Sequence, residues 1–320
     1  MLCGFKCNSV TFPATAQGWL RGLAGRVNRT FLLANISFLF LFSGCTKDFQ
    51  KRSSLQEIRL LTLEASPLAV GPGEHLTVKR VLYVPSGESV ETESWSFCPV
   101  SLGSSFAYQC AIDACVTELT PNDDQESVTF VPFDLAIACL QSLSESGVIL
   151  GDVSGDSGSN GQKTAEFIKI SIIHRFEAAS GFKGVSVKEL PQYFQAVPTG
   201  VNSPPVIESV SINGSAVTPG GSLAFTRSEL VVEVVVNAAS TESYFDQNTE
   251  VPELEEVTIS FRSSRGAWEV DRRSGLETRN VLSFEEESEP VTELTIWLVV
   301  RDGRGGQSAF GPITLEKQAP

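Results

Sequence analysis

Two short strings in this chain hold residues that can do covalent chemistry. Gly155-Asp156-Ser157-Gly158 sets a hydroxyl beside a carboxylate, and Ser43-Gly44-Cys45 sets a thiol behind two small residues. A serine nucleophile needs a general base within hydrogen-bond reach and a carboxylate that orients the base. The chain has 2 histidines, His75 and His174. His75 reads as a surface residue beside a turn, and His174 as a strand residue at a sheet edge. Neither stands near Cys or a carboxylate at metal-ligand spacing. The residues around Ser157 are Gly, Ser, Asp and Asn, which is the composition of a loop. No Walker loop and no dinucleotide fingerprint occurs. A pair of acids for glycoside hydrolysis needs only to converge in space, and no spacing among the 38 acids points to one pair. The chain is therefore read as non-enzymatic, with an envelope hydrolase of unrecognised motif as an alternative.

The thiol leads further. Residues 31–42 are apolar apart from Asn35 and Ser37, which is too short for a spanning helix of about 20 residues but suits the apolar region of a signal peptide. Arg21, Arg26 and Arg29 precede it. Leu41-Phe42-Ser43-Gly44-Cys45 resembles the lipobox of bacterial lipoproteins, with Phe42 where a smaller aliphatic residue is usual. That resemblance implies diacylglycerol on the thiol of Cys45 and cleavage that leaves Cys45 as the N-terminus. Thr46, where an Asp would signal inner-membrane retention, implies the outer membrane. Residues 1–44 are then a signal peptide, and residues 1–26 an over-extended gene start, because a start at Val27 gives a signal of ordinary length. Residues 45–54 are the anchor and tether. Lys47, Lys51 and Arg52 stand beside the anchor, where anionic head groups attract them. The Gly-Asp-Ser-Gly string, for its part, is similar to the one around the nucleophile of chymotrypsin-like proteases, but His174 follows the serine, in the wrong order for that family.

Seven cysteines lose Cys3 and Cys7 with the signal and Cys45 to lipid. Cys98, Cys110, Cys115 and Cys139 remain. An even number in an exported chain predicts two disulfides. Three pairings are open; the one expected joins Cys110 to Cys115 and Cys98 to Cys139. A zinc site is disfavoured, because no CxxC pair or nearby histidine supports it.

The rest of the chain reads as strands. Pro67, Gly71, Pro72 and Gly73 separate two of them, and a third follows in Glu88 to Pro99, with Glu91, Glu93, Trp95 and Phe97 on one face. A Trp near a Cys on a third strand is an immunoglobulin-like theme. Residues 99–127 form a cysteine-bearing insertion, and Phe133, Ile137 and Leu140 predict a short helix. Further on, Val257, Ile259 and Phe261 alternate, as do Leu294, Ile296, Leu298 and Val300. Asp302-Gly303-Arg304-Gly305-Gly306 predicts a hairpin turn. The strings SPPVIESVSING, VTPGGSLAF and LVVRDGRGGQS resemble bacterial PKD-like and related immunoglobulin-like domains. Some related domains bind calcium. Here Asp246, Glu250, Glu253, Glu255 and Glu256 lack the spacing of a calcium motif and read as a solvated acidic loop.

The expectation is a mainly β protein of two tandem immunoglobulin-like β-sandwiches. The first covers residues 55–198, a linker residues 199–205, and the PKD-like second residues 206–320. Net charge is -14, and the signal removes basic residues but no Asp or Glu, so nucleic acid is a disfavoured partner. The expected partners are the membrane, through the lipid anchor, and an envelope protein or glycan. No cofactor is expected beyond the covalent lipid. The expected function is a lipid-anchored cell-envelope module for binding, adhesion or assembly, with a structural spacer as an alternative. The stapled loop is the first place to look for a ligand.

Overall fold

A run of seven strands alternates inward apolar and outward polar residues, and so must bury one face of each sheet. In the computed structural model, β1 (Arg59–Ser66), β2 (Leu76–Tyr83) and β5 (Ser127–Phe130) form one sheet. The facing sheet has the order β4 (Thr117–Leu119), β3 (Val90–Cys98), β6 (Phe167–Ala178) and β7 (Lys183–Tyr193). The expected helix is α1, Pro132–Glu145. The described residues are 53–99, 110, 112–145, 167–198, 200–245, 252–284 and 291–318. Cys45, the Ser157 loop, Asp246, Glu250 and most of residues 100–111 lie outside them.

Register fixes what the first core contains. Trp95 lies opposite His174, and Phe97 opposite Ile172, so these four share the inward face. Leu63, Val78 and Val128 meet them from the other sheet. One residue along, Ser96 opposite Ile173 and Cys98 opposite Ser171 face outward.

The second sandwich follows the linker. Its strands are β8 (Ile207–Ile212), β9 (Ser215–Val217), β10 (Ser222–Phe225), β11 (Glu229–Val236), β12 (Ser243–Phe245), β13 (Pro252–Leu254), β14 (Thr258–Ser263), β15 (Ala267–Trp268), β16 (Arg272–Ser274), β17 (Glu277–Ser283), β18 (Glu293–Arg301) and β19 (Gln307–Lys317). Sheet β10-β19-β18-β14-β16 faces sheet β15-β17-β11-β8-β9, and β12-β13 is a separate ribbon. The expected alternations hold: Val257, Ile259, Phe261, Leu294, Ile296, Leu298 and Val300 are all buried in one core. The Gly-rich turn joins β18 to β19, with Gly303 at φ 81° and Gly305 at φ 108°, angles that a side chain with Cβ resists. The fold is thus mainly β, with two immunoglobulin-like sandwiches.

The two sandwiches lie side by side. Strand β1 packs on the outward face of β18 and β19, where Leu55, Leu61 and Val299 are buried and Trp297 and Ala309 half-buried. Backbone groups are matched across the joint. Arg301 donates to the Leu61 carbonyl at 3.2 Å, Gln307 Nε2 to the Leu63 carbonyl at 2.8 Å, and the Ala309 N–H to Glu64 Oε1 at 2.6 Å. The segment before β1 is pinned too: the Leu55 N–H donates to the Ser263 carbonyl at 2.8 Å and the Ser263 N–H to the Ser53 carbonyl at 2.9 Å. Residues Lys51–Pro320 consequently form one compact unit.

Candidate functional site

The four cysteines converge, but not in the expected pairs. Cys98 bonds Cys110, with Cα atoms 5.7 Å apart, and Cys115 bonds Cys139, 5.1 Å apart. The reason is local geometry. A 3-10 turn over Asp113–Cys115 aims Cys115 at helix α1, where Cys139 sits, while Cys98 leaves β3 on its outward face and meets Cys110. All four pack with Ile173 into a small buried cluster. The expected insertion also supplies part of the sheet, since Thr117–Leu119 pairs with β3 as its edge strand. Asp124 closes the turn before β5, accepting from the Glu126 N–H at 2.9 Å and the Ser127 N–H at 3.0 Å.

His75 is exposed at its turn, as expected. His174 departs from expectation. It stands on a central strand and is fully buried. Its Nε2 lies 2.8 Å from Glu93 Oε1, and the same oxygen accepts from Arg80 Nε at 2.6 Å. Arg80 comes from β2, Glu93 from β3 and His174 from β6, so the cluster ties the two sheets through the core. Burial pushes the Glu93 carboxyl up, but the hydrogen bonds from His174 and Arg80 outweigh it and hold the carboxyl below its ordinary range. The signal was present in the sequence: alternation placed Glu93 on the face of Trp95.

A second polar cluster lies in the joint. Lys188 points inward from β7 and donates to the Gly305 carbonyl. Asp302 is the hub of its turn, accepting from the Arg304 N–H at 2.8 Å, the Gly306 N–H at 2.9 Å and linker Asn202 Nδ2 at 2.8 Å. Burial pushes the Glu64 carboxyl up. Burial likewise lowers Lys188 to about 8, against the pull of Asp302. The unfolded chain then holds more protons than the folded one between pH 8 and 10.5, so this lysine weakens the fold at neutral pH and ceases to as pH rises. The stability of the wild type relative to Lys188→Met is expected to rise by roughly 2 kcal/mol from pH 7 to pH 10 in urea titrations. A flat difference between the two curves contradicts a buried ammonium.

The acidic loop is only partly solvated. The Glu255 side chain is fully buried, and Arg304 Nη1 donates to it at 2.6 Å. Burial pushes its carboxyl up against the pull of that arginine. Arg304 also lies 4.8 Å from the centre of the Tyr244 ring, whose hydroxyl donates to Glu253. Among the described residues, no group of three or more His, Cys, Asp or Glu is placed to hold a metal.

Among the described residues, small clefts open on the surface. One of about 360 Å³ runs between β4, β5 and α1 over Leu119, Phe130 and Leu135, with Glu118 and Asp134 in its wall. The other, of about 270 Å³, lies at the joint between Leu68, Pro191, Tyr193, Asn202 and Arg304. Both sit near or below the lower end of the volumes that hold small molecules.

No family model and no curated protein matches the chain. Solved structures do align with it. The D00-D0 domain of Intimin is 8% identical, with 81% of this chain and 96% of that one covered at a TM-score of 0.21. The Ig1-2 module of the Drosophila receptor protein tyrosine phosphatase DLAR is 7% identical, with 82% and 100% covered at 0.24. The fibronectin(III)-like modules of Clostridium thermocellum CbhA are 9% identical, with 82% and 94% covered at 0.21. Scores this low assign nothing to the chain, and the sandwiches are assigned from their own strand order.

Proposed function

We propose that this chain is a lipid-anchored cell-envelope protein that acts as a binding, adhesion or assembly module. One observation carries the reading. Among the described residues, His174 is committed to Glu93 inside the first sandwich, and Lys188 with Asp302 to the joint. What the unit offers to a partner is surface: strand ends, edge strands and the stapled segment over α1. Locked side by side, the sandwiches present that surface in one fixed arrangement, which lowers the ordering cost of recognition. The Ser43-Gly44-Cys45 string supports the anchor, and its acyl chains would hold the module at the outer membrane, each buried methylene contributing about 0.8 kcal/mol.

Mass spectrometry of the mature N-terminus tests the anchor. The expected product begins at Cys45 and carries diacylglycerol and an N-acyl chain. A mature protein that retains residues before Cys45 refutes it. Affinity capture from envelope extract tests the module: recovery of an envelope protein or glycan is expected, and repeated failure favours a structural spacer.

A further inference from the structure

The order β4-β3-β6-β7 leaves β7 at one edge of its sheet. At 11 residues it is the longest edge strand among the described residues. Its register with β6 runs without a bulge, from Tyr193 opposite Phe167 to Lys183 opposite Glu177. The turn between them fixes which way the backbone of β7 faces. The Ala178 N–H donates to the Phe182 carbonyl at 2.8 Å, and hydrogen-bonded pairs recur at every second residue from there. Even-numbered residues of β7 therefore turn their backbone groups to β6. Lys183, Val185, Val187, Glu189, Pro191 and Tyr193 turn theirs outward. The far end has the same phase. There the Val70 N–H donates to the Pro191 carbonyl at 3.2 Å, and the Tyr193 N–H to the Val70 carbonyl at 2.8 Å.

Val70 and Pro191 close that end of the edge, since proline has no N–H to offer. From Lys183 to Glu189, no backbone partner covers it among the described residues. An unpaired edge is a template for another strand. Lys183, Val185 and Glu189 are exposed, Val185 at 56%. Val187 is half-buried against the cysteine cluster. This run of residues is complementary to itself. A second copy laid antiparallel, with Ser186 opposite Ser186, sets Lys183 opposite Glu189 and Val185 opposite Val187 on both sides of the centre. Every such pair joins residues whose N–H and C=O groups face outward, so the ladder continues across the edge. Sliding the register by two residues in either sense parts the charges, so one register is selected. Lys183 already lies 3.0 Å from Glu177 of its own chain, in an exposed pair. Its ammonium has three donors, enough for both carboxylates.

We propose that β7 pairs with β7 of a second copy across a twofold axis at Ser186, joining the two β4-β3-β6-β7 sheets into one. The association is independent of the lipid anchor, which N-terminal mass spectrometry tests separately. Sedimentation equilibrium of the full chain in detergent micelles, with hydrogen exchange at the same concentrations, tests it. A reversible monomer–dimer equilibrium is expected, with the amides of Val185, Val187 and Glu189 protected as the dimer forms. Lys183→Glu is expected to weaken dimerisation about tenfold, and Glu189→Lys likewise, because each sets like charges opposite one another. An equimolar mixture of the two variants is expected to restore it, since opposite charges then meet across the axis. Lys183→Gln and Glu189→Gln, each expected to weaken it about threefold, serve where a reversal disturbs thermal melting. A chain that stays monomeric up to about 1 mM overturns the proposal. So does a dimer indifferent to both reversals, as one held by the apolar residues before Cys45 would be. A mixture no tighter than either variant alone also overturns it. Protection of the same amides by a different envelope chain, with this one monomeric, gives the edge to another occupant and overturns the second copy.

Discussion

Replacing Glu93 with alanine is expected to destabilise the protein by about 3–5 kcal/mol. The carboxylate is the shared acceptor of Arg80 and His174, and removing it leaves one cation and one sealed imidazole without their partner. Arg80 and Glu93 are 13% and 16% exposed in their side chains, so water replaces only part of what is lost. The three residues also come from three strands in two sheets, so the loss loosens the facing of the sheets as well as one bond. Glu93→Gln keeps the shape and one acceptor oxygen but removes the charge, and is expected to cost less. Urea denaturation read by tryptophan fluorescence checks both, because Trp95 lies 4.4 Å from the His174 ring. A Glu93→Ala midpoint within about 1 kcal/mol of wild type sinks this account.

The same group predicts an acid dependence. The folded pKa of Glu93 lies below its ordinary value, so its contribution is complete above the unfolded pKa of about 4.3 and is lost as pH falls through the folded value. Wild type is therefore expected to lose its advantage over Glu93→Gln as the pH drops below about 4. An advantage that persists in full at lower pH rules out the charged pair as its source.

The second large effect lies in the staple. Removing the Cys115–Cys139 bond by Cys115→Ser with Cys139→Ser is expected to cost about 3 kcal/mol, from the loop closure of a 24-residue separation. The bond fastens the 3-10 turn to helix α1 and covers the outward face of β3 and β6 at Cys98 and Ile173. Loss of the helix ahead of the sandwiches is the expected pattern in hydrogen exchange. Non-reducing peptide mapping gives the independent check: a fragment linking Cys115 to Cys139 is expected, and one linking Cys110 to Cys115 overturns the assignment.

Much of the fold was legible where a local rule acts alone. Leu294, Ile296, Leu298 and Val300 alternate, and period two is enough to place them on one face. The turn after Arg301 was legible because Gly303 and Gly305 take backbone angles that few other residues accept. The same strand shows where legibility ends. Its other face carries Thr295, Trp297, Val299 and Arg301, and Val299 is buried there because the first sandwich covers that face. Nothing in β18 announces a neighbour more than 200 residues earlier in the chain.

The amino-acid sequence by itself determined the class of the protein: its strands, its turns, the four cysteines that follow Cys45 and an acidic balance. Each follows from interactions between residues close in the chain, or from composition alone. Tertiary structure decided which cysteine meets which, because the pairing depends on where the 3-10 turn aims Cys115. It decided that His174 is sealed against Glu93, a partner 81 residues away, since register and not spacing brings them together. It also decided that the sandwiches lie side by side, with Lys188 and Asp302 in the joint. Those contacts join surfaces whose burial depends on the other sandwich being present.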